Sequence, residues 1–131
     1  MAEQLQLEVV TRRRKVVDAV VSEVRLPGVL GELGVLPGHT PLLTALDVGR
    51  VAFTEGGKEQ HLIVKHGFAE VQPDRVTVLA REAVLPQEID REAERQKLAE
   101  AIEALKAATA ENLAEISHLV RSAGVSLEIT E

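Results

Sequence analysis

Apolar and polar residues alternate through the first two thirds of the chain. Two runs show this alternation most clearly: Leu5, Leu7 and Val9, and later Val76, Val78 and Ala80. A period of two is typical of half-buried β-strands. Turn residues interrupt the pattern at short intervals: Pro27-Gly28, Pro37-Gly38, Gly56-Gly57 and Pro73-Asp74. Many short strands at close spacing predict an N-terminal flattened β-sandwich or barrel.

Two stretches give more specific predictions about this β region. The alternation around residues 20–25 predicts that Val20, Ser22 and Val24 share one face of a single strand. Gly56-Gly57 separates two apolar runs, which predicts a hairpin tip.

The hydrophobic period becomes helical after Pro86. Two apolar stripes at helical spacing follow: Leu98, Ala101, Ile102 and Leu105, then Leu113, Ile116, Val120 and Ala123. They predict two helices, with Gly124 as the end of the second. The sequence therefore divides into a β-sandwich domain over residues 1–86 and an α-helical regulatory domain over residues 87–131.

The join between the two helices does not force a bend. Residues 107–110 contain neither Gly nor Pro, and Thr109 is the predicted N-cap of the second helix. The pattern predicts an antiparallel two-helix hairpin that is able to extend, so a single rod remains open as well. A rod over residues 88–123 would reach about 54 Å.

Composition narrows the classes of function. The chain has no cysteine, which excludes disulfides and thiolate chemistry, and it has no Trp or Tyr on which bases could stack. Residues 1–86 hold ten basic and eleven acidic side chains, a net charge of −1, and residues 87–131 hold five and ten, a net charge of −5. Acidic surfaces repel phosphate backbones, so no nucleic-acid partner is expected.

The sequence also contains no recognisable motif for catalysis or metal binding. His39, His61, His66 and His118 are the only histidines, and their spacing matches no metal site. No phosphate-binding glycine loop or nucleophile elbow is present. The sequence predicts a protein that is not an enzyme, with no catalytic residue and no metal ligand.

The sharpest charge feature is the basic cluster over residues 12–15. Arg12, Arg13, Arg14 and Lys15 fall between two predicted strands. A solvated hairpin loop accounts for them, and an acidic partner or a lipid headgroup surface is the alternative.

The stretch over residues 26–44 carries a specific resemblance. It reads LPGVLGELGVLPGHTPLLT, and it resembles the epsilon subunit of bacterial F-type rotary ATP synthases. Residues 67–80 look like the last strands of that family, and Glu88-Ile89-Asp90 looks like the start of its first C-terminal helix. The resemblance covers about residues 3–105.

This resemblance implies a central-stalk subunit that couples proton-driven rotation of the c-ring to ATP synthesis. The expected partners are the gamma subunit, the c-ring subunits and, when the helices extend, the alpha and beta catalytic subunits. The expected location is the cytoplasmic face of the bacterial plasma membrane, where the chain would be peripheral and associated only through the complex.

The resemblance also implies contact residues. Glu32 and His39 match the part of the family that contacts the loops of the c-ring. The turn residues Gly31, Gly34, Pro37, Gly38 and Pro41 match the gamma-binding turns, although backbone constraints are the stronger explanation for each of them.

Two expectations concern the helical domain. Some members of the family bind ATP through Ile/Leu-Asp-x-x-Arg-Ala, but here Ala93 stands at the Arg position and Glu94 at the Ala position. The candidate ATP-binding residues are Ile89, Asp90, Arg91 and Arg95. The alternative function is therefore a nucleotide-sensing subunit whose helices close on ATP. No other cofactor is expected.

The second helix implies a weak brake on ATP hydrolysis. Strongly inhibitory members carry several basic residues there, facing an acidic segment of the catalytic subunit. This chain offers His118 and Arg121 as the inhibitory contacts, against four acids: Glu111, Glu115, Glu128 and Glu131. Like charges weaken such a contact.

Overall fold

The computed structural model describes residues 4–130, so Glu131 lies outside the described residues. Eight strands come first: β1 (Leu5–Val10), β2 (Lys15–Val21), β3 (Glu23–Gly28), β4 (Gly31–Val35), β5 (Leu42–Leu46), β6 (Gly49–Glu55), β7 (Lys58–Gln72) and β8 (Arg75–Val84). A short 3-10 helix over Pro86–Glu88 leads to α1 (Arg91–Lys106) and α2 (Leu113–Ile129). The chain divides into two compact units between Leu85 and Pro86.

The strands form a β-sandwich from one continuous hydrogen-bonded sheet. Its order is β2-β1-β8-β7-β5-β3-β4, and β6 pairs with both β3 and β7. The long strand β7 connects the two layers, because its first half pairs with β6 and its second half pairs with β5. Only the pairing of β1 with β8 is parallel among these ladders.

The direction of β7 changes at His66 and Gly67. Both have positive φ angles, of 60° and 143°. A Cβ atom on Gly67 would lie 2.1 Å from the carbonyl oxygen of Leu79 on β8. Glycine is therefore required here by close backbone approach as well as by conformation.

The alternation in β1 and β8 is confirmed. Leu5, Leu7 and Val9 point into the core, as do Val76 and Val78. The core is almost wholly aliphatic and lies entirely within the first unit. The hairpin tip at Gly56-Gly57 is confirmed too, and both glycines have the positive φ that a tight primed turn requires.

The expected shared face of Val20, Ser22 and Val24 is wrong. Ser22 is a bend between β2 and β3, and its N–H donates to the carbonyl oxygen of Thr54. The one-residue interruption shifts the alternation, so Val21 and Val24 are both buried and Val20 is exposed. A break of one residue reverses every inward and outward position that follows it.

The second unit is an antiparallel helical hairpin. Arg91, at the start of α1, donates to the carbonyl oxygen of Leu127 and to Oγ1 of Thr130, at the end of α2. Two ion pairs lie along α1, between Glu94 and Lys97 and between Glu103 and Lys106. Among residues 4–130, no helix is long and apolar enough to cross a membrane.

Three details of the helical prediction are wrong. Asn112, not Thr109, is the N-cap of α2, and its side-chain oxygen accepts from the N–H of Thr109. The helix α2 continues through Gly124 to Ile129. A glycine inside a helix destabilises it by about 1 kcal/mol relative to alanine, and the burial of Ser126 and Ile129 outweighs this cost. The large side chains of Ile102, Leu105 and Leu113 are exposed, and the buried positions are mostly small: Ala101, Ser122, Ala123 and Ser126.

Candidate partner interface

The hairpin of β3 and β4 presents an apolar tip. Val29 and Leu30 form its two-residue turn and are 53% and 99% exposed. The backbones of Gly28 and Gly31 are paired so closely that a Cβ on Gly28 would lie 2.8 Å from the oxygen of Gly31. The sequence therefore builds a narrow turn that holds a large aliphatic side chain in solvent.

The same tip is fixed from its side by β5 and the residues that follow it. The N–H of Val29 donates to the carbonyl oxygen of Ala45 over 3.1 Å, and the N–H of Asp47 donates to that of Pro27 over 2.9 Å. Glu32 lies just after the turn on β4 and is exposed. The tip thus offers one carboxylate and two apolar side chains on a backbone that is already ordered.

The loop between β4 and β5 is a second rigid feature. The N–H of His39 donates to the carbonyl oxygen of Leu36, with Pro37 and Gly38 between them and a φ of 88° at Gly38. This is the arrangement of a type II turn, which accounts for both the proline and the glycine. The N–H of Gly38 also donates to the carbonyl oxygen of Pro73 over 2.7 Å, which ties the loop to the turn between β7 and β8.

His39 is held by its own neighbour. Its Nδ1 lies 2.6 Å from the carbonyl oxygen of Thr40. A carbonyl oxygen only accepts, so Nδ1 carries a proton and Nε2 is the ring nitrogen left for a partner. Glu32 lies near the start of β4, whereas His39 lies in the loop beyond its end, so the structure does not bring the two side chains into one cluster.

Beside this loop lies an apolar strip across β5, β7 and β8. Phe68 is paired with Leu79 on one side and with Ala45 on the other, and Leu43 is two residues from Ala45. Phe68, Leu79 and Leu43 are all more than half exposed. A cleft of about 330 Å³ continues from the strip, lined by Pro41, Leu42, Leu43, Glu70, Val71 and Gln72.

These exposed apolar residues were missed by sequence reasoning. Leu30 and Leu36 carried a usable signal, because tight turns ordinarily hold Gly, Pro, Asn, Asp or Ser and large aliphatic residues are out of place there. Phe68 and Leu79 carried none, since period-two alternation alone leaves open which outward positions a partner covers.

The candidate nucleotide residues all make contacts within the helical unit. Asp90 is the N-cap of α1 and accepts from the N–H of Ala93 over 3.1 Å. The N–H of Ile89 donates to the carbonyl oxygen of Pro86. Arg91 donates to the end of α2, and Arg95 forms an ion pair with Glu92 at 3.5 Å.

The two candidate inhibitory residues lie one turn apart on α2. Arg121 is exposed and His118 is half-buried, and each interacts with other residues of the chain. Among residues 4–130, no group of three or more His, Asp or Glu side chains could hold a metal ion.

Comparison with known proteins adds the family context. The family described as "ATP synthase, Delta/Epsilon chain, beta-sandwich domain" matches residues 4–86. The ATP synthase epsilon chain of Geotalea uraniireducens is 45% identical over 106 residues, which are 81% of this chain and 77% of the relative. That of Desulfosudis oleivorans is 50% identical over 91 residues, 69% of this chain and 68% of the relative.

Solved structures resemble the whole chain. A chain in the cryo-EM structure of Euglena gracilis mitochondrial ATP synthase (OSCP/F1/c-ring in rotational state 1) matches with a TM-score of 0.76 and 25% identity, over 99% of this chain and 79% of that one. A chain of the central stalk and c-ring of Tetrahymena thermophila mitochondrial ATP synthase matches with a TM-score of 0.64 and 12% identity, over 97% and 96%. The second likeness is one of fold alone.

Proposed function

The chain belongs to the ATP synthase delta/epsilon chain family, and we propose that it is the central-stalk subunit that couples rotation of the c-ring to ATP synthesis. In this role it has no reaction of its own, and it transmits force between the gamma subunit, the c-ring and the catalytic core. It is peripheral to the membrane, on the cytoplasmic face of a bacterial plasma membrane, and is held there by the complex.

One structural observation carries the proposal: Leu30 is 99% exposed at the end of a hairpin whose backbone is hydrogen-bonded to Ala45 and Asp47. A large aliphatic side chain fully in water loses the free energy of its burial, about 1.5–3 kcal/mol, which a partner restores on contact. Glu32 beside it supplies an acceptor for polar loops. This tip, with His39 as a second polar contact, is the proposed contact with the c-ring.

The gamma subunit is proposed to cover the adjacent surface. The loop with its turn at Pro37 and Gly38 leads into β5, where Leu43 joins Phe68 and Leu79 in an exposed apolar strip. Permanent subunit contacts are larger and more apolar than transient ones, so this region suits gamma. Gly31 and Gly34 support the hairpin backbone, and Pro41 begins the cleft.

Two double variants separate the two contacts. Leu30→Gln with Glu32→Gln is expected to weaken binding to the c-ring at least about tenfold while gamma still co-purifies. Leu43→Gln with Phe68→Gln is expected to release gamma by a similar factor. Val20→Gln removes an exposed apolar side chain on β2 and serves as the matched control. Equal loss of both partners in all three variants would contradict the assignment.

The helical hairpin is proposed to be a weak brake on ATP hydrolysis. Around His118 and Arg121, Glu111, Glu115 and Glu128 oppose any contact with an acidic segment of the catalytic subunits. The core of the sandwich lies wholly within the first unit, so a chain truncated after Pro86 keeps it. Truncation is expected to raise ATP hydrolysis by the assembled core less than about threefold, and a much larger rise would refute the weak brake.

The alternative function is nucleotide sensing by the helical unit. Its support is that Arg91 and Arg95 lie near the N-terminus of α1, where a helix favours anions. Against it, both guanidinium groups already have partners within the unit. Saturable ATP binding to the full chain that disappears in Arg91→Gln with Arg95→Gln, and persists in Lys97→Gln with Lys106→Gln, would favour the sensor.

A further inference from the structure

The turn between β1 and β2 holds three arginines on a fixed backbone. The N–H of Thr11 donates to the carbonyl oxygen of Arg14 over 2.9 Å. The hydroxyl oxygen of Thr11 accepts from the N–H groups of Arg13 and Arg14, over 3.2 and 3.3 Å. Thr11 therefore orders the turn, and the side chains of Arg12, Arg13 and Arg14 leave it from adjacent positions.

A fourth arginine comes to the same place from β8. The parallel register pairs Val10 with Leu79, so the turn that follows Val10 lies beside the residues that follow Leu79, including Arg81. Together they line a cleft of about 420 Å³, formed by Thr11, Arg12, Arg13, Arg14, Arg81, Glu82, Ala83 and Val84. This volume lies in the range of small-molecule sites, and the whole lining belongs to the first unit.

The lining of the cleft carries more positive than negative side chains. Glu82 is the one carboxylate of its lining. The carboxylates of the neighbouring strands are engaged by Lys15, which lies 3.4 Å from Asp18 and 3.5 Å from Glu8. The hydrogen bond and charge of Asp18, and then the charge of Glu8, raise the pKa of Lys15.

Three of the four arginines of the lining form no ion pair among the described residues. Within residues 4–130, no ion pair joins Arg12, Arg13 or Arg81 to a carboxylate. The chain as a whole has a formal charge of −6 and repels anions. The positive charge of this cleft is therefore a local feature. A bound anion would relieve the mutual repulsion of these guanidinium groups.

The chemistry of the lining identifies the class of ligand. Planar guanidinium groups match phosphate oxygens with two parallel hydrogen bonds, and several of them around one cleft suit a multiply charged anion. Ala83 and Val84 supply an aliphatic wall, and no aromatic residue is available for stacking a base. We infer that this cleft binds a phosphate-bearing anion through Arg12, Arg13 and Arg81, recognised by its phosphates alone.

The direct test measures binding of pyrophosphate to the full chain by calorimetry at low salt. Arg13→Gln with Arg81→Gln is expected to weaken binding at least about tenfold. Lys58→Gln with Lys106→Gln removes two exposed positive charges elsewhere and is expected to stay within about twofold of the unchanged chain. Circular dichroism of both variants verifies that each remains folded.

A second arm identifies the source of the phosphate. Vesicles of phosphatidylglycerol and of phosphatidylcholine replace pyrophosphate in the same three-chain comparison. Pyrophosphate binding that depends on Arg13 and Arg81 indicates a soluble phosphate compound. Binding only to phosphatidylglycerol vesicles, with the same dependence, indicates a lipid headgroup. Both outcomes support the site, which is separate from the residues proposed to contact gamma and the c-ring.

Three outcomes would overturn the proposed phosphate-binding cleft. One is no binding to either probe, and the second is equal binding by the two double variants. The third is binding to a polyglutamate peptide alone, because that would make the cleft a contact for an acidic protein.

Discussion

At the scale of single residues, a few positions control how the sheet is folded. Gly67 allows β7 to pass from one layer to the other, and Gly28 allows the β3–β4 hairpin to close beneath Leu30. His61 affects stability through its protonation instead of through the backbone. Its Nδ1 is buried and has no hydrogen-bond partner among the residues that the structure describes.

Replacement of Gly67 by alanine should destabilise the protein severely. The new Cβ would lie 2.1 Å from a backbone oxygen, at a φ of 143° that L-residues rarely adopt. We expect a loss of about 3 kcal/mol or more in the free energy of unfolding, measured with urea. Gly34→Ala is the control, because nothing lies within 4 Å of its added Cβ; it should change stability by less than about 0.5 kcal/mol. Similar losses in both variants would disprove the steric account.

His61 should make stability depend on pH in one window. Its burial, and then the charges of Arg50 and Arg25, lower the pKa of His61 below the ordinary value of 6.5. As the pH falls below about 6.5, the unfolded chain binds a proton that the folded chain does not, so the free energy of unfolding decreases until the folded pKa is reached. Above that window the group contributes no pH dependence.

The measurement compares wild type with His61→Gln by urea unfolding at about pH 7.5 and about pH 5.5. Wild type should lose more stability between the two values than the variant does. An equal loss would mean that His61 does not titrate differently in the folded and unfolded chains.

At the scale of elements, regular alternation was predictable and interruptions were not. The strands β1 and β8 followed directly from their period of two, and Gly56-Gly57 marked its turn. The bend at Ser22 has no Gly or Pro to signal it, because it is held by hydrogen bonds that Ser22 donates to the carbonyl oxygen of Thr54, 32 residues away. The helix α2 continues past Gly124 because Ser126 and Ile129 are buried, and this packing outweighs the low helix propensity of glycine. Here too, contacts distant from the residue override its local preference.

The helical hairpin should be held closed at one end by Arg91. Its guanidinium group donates to Leu127 and Thr130, and so satisfies groups at the C-terminal end of α2. A hydrogen bond from a charged group contributes about 1.5–3 kcal/mol. In Arg91→Ala we therefore expect amide hydrogen exchange in residues 127–130 to accelerate at least about tenfold.

The matched control is Arg95→Ala, one turn further along α1, where the guanidinium pairs with the exposed carboxylate of Glu92. Exchange at the end of α2 should remain unchanged in this variant. Equal acceleration in both would show that loss of charge, and not loss of the contact with α2, loosens the helix.

At the scale of the whole molecule, the chain combines a rigid sandwich with a more acidic helical unit. The division was predictable from the change of period at Pro86, and the family from the stretch over residues 26–44. The proposed partner surface was predictable only in part. Resemblance to the family points to Glu32 and His39, which stay predicted contacts, whereas Phe68 and Leu79 meet only when the register of β7 and β8 is known.

We propose that this chain couples rotation of the c-ring to catalysis through the tip at Leu30 and Glu32. The most direct test reconstitutes an ATP synthase that lacks its epsilon subunit with the full chain, and measures proton uptake into vesicles per ATP hydrolysed. Wild type and Val20→Gln should restore uptake, and Leu30→Gln with Glu32→Gln should hydrolyse ATP with little uptake. Restoration by the tip variant to the level of wild type would contradict the account.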